Sequence, residues 1–156
     1  MKSPMCNKLN FYTQYHQIYI ADSELKDTDA MDFGTNEEYI SRLAIGQGLL
    51  AVYLECYGDF SGEVKILERE EAAIDFDKFD HIVEGGLNVP SGLVQILDCP
   101  NSHVEWEMKV PPGKYRARIY SSNLASVIGD SGDDYYKIEL WPDTNLERKV
   151  LKQLLR

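Results

Sequence analysis

Turn residues divide the second half of this chain into short, nearly regular segments. Gly85-Gly86, Pro90-Ser91-Gly92, Cys99-Pro100-Asn101 and Pro111-Pro112-Gly113 stand too close together for an amphipathic helix of ordinary length to fit between them. The stretches they bound alternate apolar and polar residues, as in Val104, Trp106, Met108 and Val110, which places like side chains on one face of an extended chain. The pattern predicts strands over 93–97, 104–110, 115–120 and 135–141. Short strands at this spacing point to a mainly β protein, an antiparallel β-sandwich formed as one domain by residues 1–156, and not to a parallel βαβ sheet.

The first half fits the same class with one helix added. Residues 11–20 are rich in Tyr, Phe and Ile, with Tyr12, His16, Ile18 and Ile20 able to share a face, and read as the first strand. Thr35 offers an N-cap with Glu38 three residues on, so a short helix over 36–43 should follow that strand, burying Tyr39, Ile40 and Leu43. Residues 49–56 read as a buried strand that turns through 57–62 into 63–68, a hairpin candidate, and 74–83 carries Ile74, Phe76 and Ile82 among acids. After Pro142 the period changes: Asp143 can cap, and Leu146, Val150, Leu151 and Leu154 recur at helical spacing, which predicts a C-terminal helix covering a sheet end or edge.

Composition narrows the function. At 156 residues and 44% apolar, the chain can bury enough surface to fold without a disulfide framework or structural metal. Sixteen Lys and Arg against 26 Asp and Glu give −10, a field that repels DNA, RNA and anionic lipid, so direct nucleic-acid or membrane binding is not expected. The opening residues lack the apolar stretch of a secretory signal, and Cys6, Cys56 and Cys99 are odd in number and widely spaced, as for reduced thiols in a cytoplasmic protein; Cys56 and Cys99 read as core residues.

Candidate catalytic and metal motifs are weak. Gly129-Asp130-Ser131-Gly132 matches the surroundings of a serine-protease nucleophile, but the chain lacks the histidine context of a triad, and an Asp/Ser/Gly turn between strands explains the same residues. Asp27, Asp29 and Glu38 take the first, third and twelfth places of a calcium loop, yet Met31 and Asp32 occupy the fifth and sixth, where an oxygen ligand and a glycine belong. His16, His81 and His103 show no metal spacing, and Cys99 with His103 is half a site. No metal or cofactor is expected. Acidity is the stronger signal: residues 59–84 hold nine acids against Lys65, Arg69 and Lys78, a net −6. Glu68, Glu70, Glu71, Asp75, Asp77 and Asp80, joined by Asp130, Asp133 and Asp134 from a later turn, form either a solvated face or a docking surface for a basic protein partner.

Two segments carry a resemblance. Tyr15-His16-Gln17-Ile18-Tyr19-Ile20 and Val110-Pro111-Pro112-Gly113-Lys114-Tyr115, the latter running on into Arg116-Ala117-Arg118-Ile119-Tyr120, are similar to the Tyr-His-Gln and Pro-x-Gly-x-Tyr strand entries of the competence protein J family. The chain departs from that family in extending from Pro142 to Arg156. The resemblance implies a non-catalytic inhibitor that blocks a DNA-entry nuclease, its acidic surface occupying a basic cleft built for phosphate. A small-ligand-binding or enzymatic sandwich is the competing class and would need a pocket with converging polar groups.

Overall fold

A computed structural model describes residues 6–26 and 35–155. Among these residues eleven strands form two stacked sheets: β1 (Asn7–Thr13), β2 (Gln17–Asp22), β3 (Leu43–Ile45), β4 (Leu49–Tyr53), β5 (Gly58–Ile66), β6 (His81–Val89), β7 (Leu93–Leu97), β8 (Val104–Lys109), β9 (Gly113–Ser122), β10 (Tyr135–Pro142) and β11 (Lys149–Lys152). The six-stranded sheet runs β1-β5-β10-β9-β6-β11 and the five-stranded sheet β3-β4-β2-β7-β8. Pairing is antiparallel except between β5 and β10, which run parallel. The expected mainly β sandwich is what forms. Its core lies between the sheets, where Ile18, Ile20, Leu50, Val52 and Ile96 of one meet Phe60, Val64, Val83, Ile119, Tyr136 and Ile138 of the other. This inward set is the period-2 half of each strand.

Several local expectations need correction. The predicted first strand is two strands in different sheets, β1 pairing with β5 and β2 with β4 and β7, so the helix follows the second strand. Between them Tyr15 and His16 adopt left-handed φ of 59° and 56° and turn the chain from sheet to sheet. The hairpin of 49–56 with 63–68 is likewise a crossing, because β4 and β5 belong to different sheets. Four successive amides of the connection bond to distant groups instead of to each other: Leu54 to His16 O, Glu55 to Tyr136 Oη, Cys56 to Asp134 Oδ2 and Tyr57 to Asp130 O.

Helix α1 (Asn36–Ser41) starts at Thr35, whose hydroxyl accepts from Glu38 N at 3.2 Å, and ends at Arg42 in the left-handed region. Its inward side carries Glu38, whose carboxylate accepts from Tyr53 Oη at 2.9 Å, and Ser41 three residues on, so Tyr39 and Ile40 fall on the other side. They are exposed, while Glu38 and Ser41 are buried and Leu43 is buried on β3.

Among the described residues no helix forms after Pro142. Lys149–Lys152 instead pair with β6 and extend the six-stranded sheet, because Asn145 O and Glu147 O are taken by Arg116 and Leu146 seats against Gly86. Asp143 does cap, but caps a turn, accepting from Asn145 N at 2.9 Å. Gly85-Gly86, read as a break, lies inside β6. A Cβ at Gly85 would come within 2.8 Å of Leu43 and one at Gly86 within 2.6 Å of the Leu146 backbone, so glycine here serves close approach.

Candidate functional site

The acidic segment 67–80 leaves β5 where Leu67 N bonds Leu140 O and enters β6 where Asp80 N bonds Ser121 O, so it crosses the outer face of the six-stranded sheet. Beneath it lie charged residues that alternate with the core-facing residues of β9. Arg118, only 2% exposed, donates from Nε to Glu84 Oε2 at 2.7 Å, from Nη1 to Glu71 O at 2.7 Å and Tyr120 Oη at 2.9 Å, and from Nη2 to Glu70 Oε2 at 3.3 Å. Its guanidinium carbon sits 5.1 Å from the Trp141 ring centre. Phe79 packs on Tyr120 at 4.8 Å, and Lys152 Nζ donates to Phe76 O. The segment is therefore fastened at several points while Glu68, Glu70, Glu71, Asp75 and Asp77 remain exposed.

The three late carboxylates divide. Asp130 and Asp133 are exposed in the connection from β9 to β10, whereas Asp134 is 4% exposed and accepts from Tyr136 Oη at 2.7 Å and Cys56 N at 3.1 Å. Burial, with that carboxylate beside it, pushes the Cys56 thiol up to about 12. Asp80 is half-buried and accepts from Leu124 N at 2.9 Å, and Ser126 Oγ of the same turn accepts from Asp133 N at 2.8 Å. The two acidic segments thus adjoin at this turn. Asp134 faces inward.

A cavity of about 850 Å³ opens where the two inter-sheet crossings lie side by side. The β1–β2 crossing supplies Tyr15 and His16, the β4–β5 crossing Leu54 and Glu55, the end of α1 Tyr39, Ile40 and Arg42, and the C-terminal segment Gln153 and Leu154. Arg42 Nη1 donates to Glu55 Oε1 at 2.8 Å and Nη2 to Tyr53 O at 3.2 Å. Tyr39 stands edge-on to Tyr53 at 6.0 Å, and both Tyr15 and His16 stand edge-on to Tyr57. Sequence reasoning missed this cavity because its walls come from four separate stretches. The available signal was Tyr15-His16-Gln17, whose residues all line it.

The other candidates take ordinary places. Ser131 closes a tight turn, its carbonyl accepting from Ile128 N at 2.9 Å across Gly129, whose φ is +66°. His81 is buried, donating from Nε2 to Ser41 O at 2.7 Å and accepting at Nδ1 from Leu154 N at 3.0 Å. His16 Nδ1 bonds Glu55 O, and His103 lies by Asp98. Asp27 and Asp29 lie outside the described residues, among which no three His, Cys, Asp or Glu side chains are grouped to hold a metal ion. Among them, too, no helix is long and apolar enough to cross a membrane.

No protein-family model matches the sequence, and no curated protein does. Two solved structures match in shape. One is crocagin biosynthetic gene J, with a TM-score of 0.58 and 16% identity over 91% of this chain and 99% of that one. The other is ComJ from Bacillus subtilis, inhibitor of the DNA degrading activity of NucA, with a TM-score of 0.69 and 14% identity over 91% of this chain and the whole of ComJ. The resemblance first carried by two strand entries holds across the fold: this chain folds as ComJ does.

Proposed function

We propose that this protein is a non-catalytic inhibitor that binds and blocks a basic nuclease in the cytoplasm. The observation that carries the reading is an acidic segment fastened by hydrogen bonds and a ring contact on the outer face of a ComJ-like sandwich. Glu68, Glu70, Glu71, Asp75 and Asp77 stay open to solvent there, while Arg118 holds the backbone beneath them. Fixed carboxylates can occupy a cleft shaped for phosphates without a loss of loop entropy on binding. The partner surface in this reading comprises those five acids with Asp80, Asp130 and Asp133, and leaves out Asp134. Three unpaired cysteines suit a reducing compartment.

The test is a DNA-protection assay in which a nuclease encoded beside this chain, and NucA separately, digest duplex DNA with and without the protein at low and high salt. Stoichiometric protection that weakens as salt rises is expected. Undiminished digestion in every case would refute the reading.

A further inference from the structure

We propose that the cavity framed by Tyr15, Tyr39 and Tyr53 is the anchoring pocket for the protein partner, and that it takes a cationic side chain, arginine above all, from a protruding basic loop. The partner's identity as a nuclease rests on the function proposed above; the pocket's preference for a cation rests on its own geometry.

Backbone strain is concentrated there. Among the described residues five non-glycine residues have left-handed φ, and three of them, Tyr15, His16 and Arg42, line this cavity. Residues held in that region gather at ligand sites, where the surrounding structure fixes them in place. The aromatic bodies are also turned outward. Tyr15 is 62%, Tyr39 75% and Ile40 59% exposed around one concavity, and exposed tyrosines at a concave site are the residue type that anchors protein interfaces.

Charge selects the occupant. Among the described lining residues only Arg42 carries fixed positive charge, and Glu55 neutralises it at 2.8 Å. The Asp130 carbonyl accepts the Tyr57 amide behind Tyr15, and the Lys152 ammonium, next to the C-terminal wall, is taken up by Phe76 O. An anion entering here would face the field of a chain at −10, whereas a guanidinium would lie on tyrosine faces with its stem along Ile40 and Leu154. At about 850 Å³ the space exceeds one side chain and suits a loop tip.

Two measurements decide it. In the first, NMR follows the tyrosine ring signals while N-acetyl-arginine methylamide, or its norleucine or glutamate counterpart, is added. Saturable millimolar shifts at Tyr15, Tyr39 and Tyr53 with the arginine probe alone, abolished in Tyr15→Ala/Tyr39→Ala, are expected. No saturable shift, or equal shifts with norleucine or glutamate, overturns the pocket. In the second, Tyr15→Ala/Tyr39→Ala should protect DNA from the nuclease roughly 30-fold or more less well, at an unchanged melting temperature because both rings face solvent. Undiminished protection by the double variant overturns the anchoring role. If the arginine probe binds while the wild type blocks no nuclease, the inhibitor reading fails and the cation pocket stands.

Discussion

Glu84 and Arg118 meet at 2.7 Å on the outer face of the six-stranded sheet, both almost wholly removed from water. The other oxygen of Glu84 takes Arg116 Nε, also at 2.7 Å, so one carboxylate from β6 serves two guanidinium groups from β9. Over this cluster lies the most acidic part of the chain. Arg118 has donors left for Glu71 O and Glu70 Oε2, which makes a buried cation the fastening for an exposed anionic segment.

Removing that cation should therefore cost both stability and loop order. Arg118→Leu leaves Glu84 half-paired in a dry place, and the variant should lose about 3–5 kcal/mol, the range for breaking a buried ion pair. Arg118→Lys should rescue little, because one ammonium cannot reach four acceptors on diverging lines. Urea unfolding measures the first effect, and limited proteolysis within 68–80 the second. A wild-type midpoint with unchanged cleavage would show that the segment is held by something else.

The strands were legible and their assignment to sheets was not. Period-2 patterning located β7, β8, β9 and β10 to within a residue or two, because each turns its apolar residues to the core and most of its polar ones to the other face. It could not show that β1 and β2, or β4 and β5, lie in opposite sheets. That depends on left-handed Tyr15 and His16 and on amides satisfied by Asp134 and Tyr136, some eighty residues away. Helical spacing in 146–154 misled for a related reason: Arg116 and the open edge of β6 offered that segment better partners than its own carbonyls. Among the acids, sequence gave their number; only contacts separate outward Asp133 from inward Asp134.

His81 makes the fold sensitive to mild acid. Burial, aided by the Arg42 charge and opposed by the bond to Ser41 O, holds its pKa below the usual 6.5. Protonation would also put a hydrogen on Nδ1, which accepts from Leu154 N. The unfolded chain takes up this proton first as pH falls, so stability is full above about 6.5 and declines below it until the folded-state pKa is passed. Urea midpoints at pH 7.5, 6.0 and 5.0 should fall in that order, and His81→Gln should flatten the slope; a midpoint independent of pH over that range would contradict the assignment.

The cysteines should react unequally. Cys6 is exposed, whereas Cys56 and Cys99 are buried, and the Cys56 thiol is pushed up to about 12. Ellman's reagent at pH 8 should titrate one thiol in the native protein and all three in urea. Rapid native labelling of Cys56 or Cys99 would mean that the inter-sheet crossings open readily.

The candidate acids should separate into those that steer and those that hold the fold. Glu68, Asp75, Asp77, Asp130 and Asp133 are exposed, so replacing them with their amides should leave the melting temperature near wild type, since solvated carboxylates contribute little to stability. Association with a basic nuclease should slow by roughly ten-fold or more at low salt, because the charges act before contact. The difference should shrink at high salt, where screening acts within about 3 Å at 1 M. Asp134→Ala should do the reverse. It strands the Tyr136 hydroxyl and the Cys56 amide without their shared acceptor, a loss of about 2–3 kcal/mol, while the salt dependence of association stays at the wild-type slope. Stopped-flow association at two ionic strengths, paired with thermal unfolding of each variant, reads both effects. Equal on-rates for the neutralised variant and wild type at low salt would assign the acidic face to solubility and leave the tyrosine-lined cavity as the contact.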